Sequence, residues 1–184
     1  MDHGPWSIDR LLRMKYILET ERLRLREFTL EDSDFIIELL NSPGWLEFIG
    51  DRNVRTADQA RSYLENGPMK SYRENGFGLS MVEMKDYKKP IGMCGILKRD
   101  SLEYPDIGFA FLPTFQGEGY AYEIASQTLS YARQHLKIPK IAAITVPKNE
   151  KSIRLLQKIG LHFERTITLP GGSEELLLYT AEFG

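Results

Sequence analysis

An α/β fold with a mixed, mostly antiparallel sheet is what this 184-residue sequence predicts. Three observations lead there. Apolar and charged residues alternate in "ILETERLRLREF", the period of a half-buried strand. Two strand-like runs, "FGLSMVEM" and "PIGMCGILK", follow one another across the turn "KDYKKP", which pairs them antiparallel. A long helical stripe then separates "DIGFAFL" from "KIAAITV", so those two strands need a crossover and run parallel or nearly so.

Taken along the chain, "ILETERLRLREF" is read as one strand, followed by a helix opened by Thr29 and Asp32 with a stripe of Phe35, Ile36, Leu39 and Leu40. Pro43 and Gly44 are expected to break the chain there. Thr56 and Gln59 form a second capping box, with a helix to about Leu64. The three strands already quoted come next. Ala121, Ile124, Ala125, Thr128, Leu129 and Ala132 then recur at helical spacing, which predicts a helix from Tyr120 to Leu136. After "KIAAITV", Asn149 caps a helix that Gly160 stops, and "LHFERTITL" and "ELLLYTAEF" close the chain around "PGGS". The predicted order is β-α-α-β-β-β-α-β-α-β-β. With no linker or repeat in view, residues 15–184 read as a single domain and 1–14 as an N-terminal extension, because the smooth pattern starts at about Met14.

Composition narrows the class. A chain that is 42% hydrophobic and 27% charged has ordinary globular balance. A net charge of −2 without basic runs gives no footprint for nucleic acid or an anionic membrane. No run of 18 apolar residues predicts a membrane span. The single cysteine, Cys94, allows no internal disulfide and fits a reducing cytoplasm; its apolar surroundings predict a core thiol. His3, His135 and His162 are scattered, so no metal is expected.

The stretch "FLPTFQGEGYAYEIA" carries the chemistry. A strand ends near a proline, two glycines follow two residues apart, and a helix begins. Glycines accept positive φ and let a ligand approach the backbone, while a helix N-terminus offers unpaired N–H groups and partial positive charge. Together they predict a phosphate site. No Lys-Ser or Lys-Thr follows, which excludes a P-loop, and Tyr122 replaces the third glycine of a dinucleotide fingerprint.

Gln116-Gly117-Glu118-Gly119-Tyr120-Ala121 resembles the Q/R-x-x-G-x-G/A loop of the GNAT superfamily of acetyl-CoA-dependent N-acetyltransferases. "PKNEKSIRLLQKIGLHFE" is similar to the second signature of that family through Asn149, Ser152, Gly160 and Leu161. Asn41, Pro43, Gly50, Thr56, Ala60 and Leu64 resemble the branch of ribosomal-protein N-terminal acetyltransferases. The resemblance spans about residues 17–183. It implies a sheet splayed at the cofactor site, with acetyl-CoA as cosubstrate. The N–H groups of residues 117–121 would take the pyrophosphate, and the edge at Phe109, Ala110 and Phe111 would take the pantetheine arm, freed by a bulge at Gly108. Asn149 and Ser152 would contact the cofactor. The acceptor would be a primary amine, either a protein N-terminal α-amine or a small molecule, and the chain a monomer or homodimer.

Acetyl transfer needs a neutral amine, and amines with pKa of about 8 to 10.4 need a base. Asp106 is the first candidate, through a water, and Glu103 the second. The tyrosine that many relatives place seven residues after the Asn is Leu156 here, so the usual general acid is missing. That keeps open a non-catalytic module that only binds or senses acyl-CoA. Trp45, Phe48 and Phe77 are the expected aromatics of the acceptor pocket.

Overall fold

The computed structural model describes residues 14–184. Apart from Met14, the expected extension 1–14 lies outside the described residues. The sheet has eight strands in the order β1-β2-β3-β4-β5-β6-β8-β7. They are β1 (Tyr16–Glu19), β2 (Leu23–Arg26), β3 (Leu79–Met84), β4 (Lys89–Leu97), β5 (Asp106–Phe111), β6 (Lys140–Thr145), β7 (His162–Ile167) and β8 (Leu176–Glu182). All neighbouring pairs are antiparallel except β5 and β6. The α-helices among the described residues are α1 (Ser33–Leu40), α2 (Pro43–Phe48), α3 (Ala57–Asn66), α4 (Pro68–Asn75), α5 (Tyr120–Gln134) and α6 (Glu150–Lys158).

The predicted fold class holds, with local corrections. The first expected strand is a hairpin: Glu19 pairs with Arg24 and Leu18 with Leu25, so the chain turns at Thr20–Arg22. Thr20 makes the turn by donating its main-chain N–H to the Leu23 carbonyl at 2.9 Å and accepting the Leu23 N–H on its hydroxyl at 3.0 Å. Pro43 starts a helix instead of breaking the chain. It sits at the first helical position of α2, where its missing N–H costs nothing. Pro68 does the same for α4, which was not expected.

Strand alternation sorts the side chains into two cores. Leu25, Val82, Ile91, Cys94, Ile96 and Ile107 face Ile124, Ala125, Leu129 and Ala132 of α5, with Leu156 of α6 in the same core. Met81 and Met93 face the opposite way, against Ile36, Leu39, Trp45, Ala60 and Leu64 of α1, α2 and α3. Cys94 is fully buried beside the Thr128 hydroxyl, 3.5 Å away, and burial pushes its thiol up to about 12. It is a core thiol with no nucleophilic character at neutral pH.

Tyr72 of α4 pins the helical layer to the sheet. Its hydroxyl donates to the Leu79 carbonyl and accepts the Phe28 N–H at 3.0 Å. Tyr72→Phe leaves both main-chain groups without that partner. It is expected to lower stability by about 1–3 kcal/mol in urea unfolding. An unchanged midpoint would show that water replaces the hydroxyl.

Candidate functional site

The sheet opens between β5 and β6. Their ladder is a single register pair, Asp106 with Ala142, secured by the Ala142 N–H to the Pro105 carbonyl at 2.8 Å. Beyond it the strands part. On its other side β5 pairs with β4 in unbroken register from Leu97–Asp106 to Gly92–Phe111. The expected bulge at Gly108 is therefore absent; the gap exists because β6 leaves after Ala142.

Parity decides which main-chain groups line the gap. The Leu112 N–H bonds the Ile91 carbonyl at 2.9 Å, and backbone direction alternates along a strand. Asp106, Gly108 and Ala110 thus turn their peptide groups to β4. Ile107, Phe109 and Phe111 turn theirs to the gap. Of the three residues expected to present main chain, Phe109 and Phe111 do so, and Ala110 does not. The Phe111 carbonyl is already held by the Gln116 side-chain amide at 3.2 Å. At Phe109 the edge of β5 has no strand partner across the gap.

At the far end of β5 the glycine junction leaves a run of main-chain N–H groups without partners among the described residues. Gly117 and Gly119 have φ of +82° and +80°, the left-handed region that glycine adopts without strain. The first main-chain bond of α5 runs from the Glu123 N–H to the Gly119 carbonyl. The N–H groups of Gly117, Glu118, Gly119, Tyr120 and Ala121 therefore have no acceptor among the described residues. Nothing lies within 4 Å of where a side chain at Gly117 would start. The Glu118 side chain is exposed.

Arg22, which sequence reasoning missed, braces this loop from the β1–β2 turn. Its Nη1 donates to the Glu118 carbonyl at 3.1 Å and its Nε to the Glu123 carboxylate at 2.7 Å. Its guanidinium carbon lies 4.4 Å from the centre of the Tyr120 ring. Glu123 also accepts the Thr20 hydroxyl at 2.6 Å and the Arg22 N–H at 2.9 Å. Burial alone would raise the Glu123 carboxyl, but these donors hold it below its ordinary range. These partners lie about a hundred positions apart, so no local pattern signals them.

On the gap's other bank, Asn149 caps α6 by accepting the Ser152 N–H at 3.2 Å on its side-chain oxygen. Its amide nitrogen keeps its donors, so the cap does not exclude a second role. Leu156 is 1% exposed and packs in the core.

α2 roofs the gap on the face opposite α5. A side chain at Gly44 would start 3.9 Å from the Gln116 amide, and the Phe48 ring lies 5.8 Å from Lys148 Nζ beyond β6. Trp45 is buried against Met93, Leu112 and Ala110, and its indole N–H has no partner. Phe77 packs with the other core, on the α5 side, and so does not join Trp45 and Phe48 at this roof.

Asp106 sits where the strands part and is 1% exposed. Arg99 Nε donates to both its oxygens, at 3.0 and 3.1 Å. Burial raises the carboxyl and Arg99 opposes it, leaving it at about 6. Glu103 is exposed and lines a separate cleft of about 270 Å³, shared with Tyr104, Ala142 and the β7–β8 hairpin. Among the described residues no group of three metal-ligating side chains occurs, and no helix is long and apolar enough to cross a membrane.

Residues 22–162 match the family model described as an acetyltransferase (GNAT) domain. The chain is 30% identical over 149 residues to the uncharacterized N-acetyltransferase YoaA of Bacillus subtilis, covering 80% of this chain and 84% of that one. The structure superimposes on an acetyltransferase from Agrobacterium tumefaciens with a TM-score of 0.75 at 22% identity, over 100% of this chain and 99% of that one. It also superimposes on the ribosomal-protein-S5-alanine acetyltransferase of Vibrio fischeri, with a TM-score of 0.75 at 19% identity, over 90% and 95% of the two chains. At those identities the two structural likenesses speak for the fold.

Proposed function

The chain belongs to the GNAT acetyltransferase family, which implies acetyl-CoA as cosubstrate, and on that premise we propose that it acetylates a primary amine by direct attack on the thioester. The observation that carries this reading is the gap between β5 and β6, with the five free N–H groups of residues 117–121 at its mouth. Such a run of unpaired N–H groups at a helix N-terminus suits a pyrophosphate, with no side chain at Gly117 or Gly119 to obstruct it. The Phe109 edge suits an amide-bearing arm. The Asn149 amide and Ser152 stand on the opposite bank. Acetyl-CoA supplies an activated acyl group whose thiolate leaves readily, since thiol pKa values are about 8.5. That leaving group makes the absence of a tyrosine at Leu156 tolerable. Release of free thiol from acetyl-CoA, screened over small amines and N-terminal peptides, tests the proposal; no release with any of them would defeat it.

Asp106 is the base this reading selects, acting through a water. A carboxyl at about 6 is largely ionised at neutral pH and still basic enough to accept a proton in passing. Turnover should therefore rise with pH through about 6 and level off above it. Asp106→Asn should remove that limb and cut kcat by about 10²–10⁴-fold with little change in CoA affinity. An unchanged profile would assign Asp106 a structural role. Stability has the opposite sign. The folded carboxyl titrates higher than the unfolded one, so native Asp106 costs stability as pH rises from 3.8 to about 6, a loss that persists above.

A further inference from the structure

A groove of about 670 Å³ runs beside α1 and shares no lining residue with the cleft at Glu103. Its floor is apolar: Phe35 and Leu112 are 8% and 7% exposed, and Phe115 packs in the same core. One wall is acidic. Asp34 and Glu38 of α1 stand one helical turn apart, both exposed, and neither side chain makes an ion pair or hydrogen bond with a described residue. The Arg26 guanidinium at the bottom is already shared between Asp32 and Glu83, so it leaves those two acids unanswered. Across the groove, the turn from β3 into β4 supplies Lys88, Lys89 and Tyr87, which is 75% exposed. An apolar floor between walls of opposite charge, with a bare aromatic on the rim, fits a short amphipathic segment.

Met14, the first described residue, lines this groove, so the chain before it meets the groove there. That stretch, "MDHGPWSIDRLLR", matches the groove in kind. Trp6, Ile8, Leu11 and Leu12 supply apolar side chains for the floor. Arg10 and Arg13 supply cations for the wall of Asp34 and Glu38, and Asp2 and Asp9 supply carboxylates for the lysine side. We infer that the groove is the seat of this chain's own segment 1–13. Covalent attachment beside the groove gives the segment an effective concentration on the order of millimolar. An affinity of about 0.1 mM for the free peptide then keeps the groove about nine-tenths filled. A second copy or another protein meets the groove without that advantage. The seat also backs the approach to the glycine junction, because the Phe115 ring lies 6.5 Å from that of Tyr120, the first residue of α5. Nothing in this seat depends on acetyl transfer.

Thiol protection in the full chain tests this. Leu11→Cys introduces a reactive thiol against a silent background, since Cys94 is fully buried and its thiol is pushed up to about 12. The thiol at position 11 should be alkylated about tenfold more slowly than the same thiol in the free peptide 1–13. Asp34→Lys with Glu38→Lys should abolish that protection, and so should Arg10→Glu with Arg13→Glu. Combining the two reversals should restore it, which unfolding would not do. A labelled peptide of residues 1–13 supplies a second readout by fluorescence anisotropy. It should bind the Arg10→Glu/Arg13→Glu chain about tenfold more tightly than wild type, whose own segment competes. Equal binding to the two chains, or none, overturns the seat. So does a thiol that reacts as fast as in the free peptide, protection that survives the Asp34→Lys/Glu38→Lys exchange, or a combined variant that fails to recover it. Protection that grows with protein concentration overturns it as well, by assigning the groove to the segment of a second copy.

Discussion

Gly119→Val is expected to weaken CoA binding by about 100-fold or more. Gly119 holds φ of +80° as the residue that opens α5, and a β-branched side chain is strongly disfavoured there. The backbone would have to leave the left-handed region, turning aside the N–H groups that flank it. Hydrogen bonds to a charged group contribute about 1.5–3 kcal/mol each, so losing two of them gives a factor of about 100 or more in Kd. The new side chain's first carbon would lie 3.5 Å from Arg22 Nη2, an ordinary contact. That contact is with the far end of a flexible side chain, so the fold itself should survive. Calorimetry with CoA, beside a thermal melt of the same variant, separates the two effects. Unchanged affinity in a folded Gly119→Val would move the diphosphate away from the α5 N-terminus and remove the basis for the cofactor assignment.

The glycine junction was legible in the sequence because its determinants are local. Gly117, Gly119 and the stripe from Ala121 to Ala132 lie within sixteen residues, and the backbone they demand is the backbone they have. The gap in the sheet followed only from resemblance, and its cause was misplaced. Gly108 suggested a bulge, whereas β5 is regular and β6 diverges. The first strand was read as one because Leu23 and Leu25 extend the alternation of Ile17, and nothing in that pattern marks a turn at Thr20–Arg22. Pro43 was read as a stop although proline is as well suited to the first position of a helix. That error hid α2, the roof of the cleft. Arg22 with Glu123 and Arg99 with Asp106 illustrate the remaining limit. Charges are visible in a sequence, but their partners are chosen by tertiary structure, and no spacing rule brings a hairpin turn to a helix a hundred residues on.

Arg26→Ala should be the most destabilising single substitution proposed for this chain, lowering stability by about 3–5 kcal/mol. Arg26 is 3% exposed, with Asp32 at 5% and Glu83 at 2%. Its two terminal nitrogens donate to the two Asp32 oxygens, both at 2.9 Å, and its Nε to Glu83 at 3.0 Å. Burial opposes the guanidinium charge, but Asp32 and Glu83 more than offset it and raise its pKa. Asp32 also accepts the Thr29 N–H at 2.9 Å, which fixes the entry to α1, and the Tyr16 hydroxyl donates to Glu83 at 3.0 Å. Removing Arg26 strands two carboxylates in the interior with only those neutral donors. Protonation relieves an unpaired buried carboxylate, so the variant should recover part of its stability as pH falls toward 5. Urea unfolding at pH 5 and pH 8 measures both effects. A second variant, Arg26→Met with Asp32→Asn and Glu83→Gln, removes all three charges while keeping much of the volume. It should be substantially more stable than Arg26→Ala at pH 8, since the large cost lies in the unpaired charges. If instead the two variants unfold at the same urea concentration at pH 8, the loss comes from packing around Arg26 and the ion triad is energetically neutral.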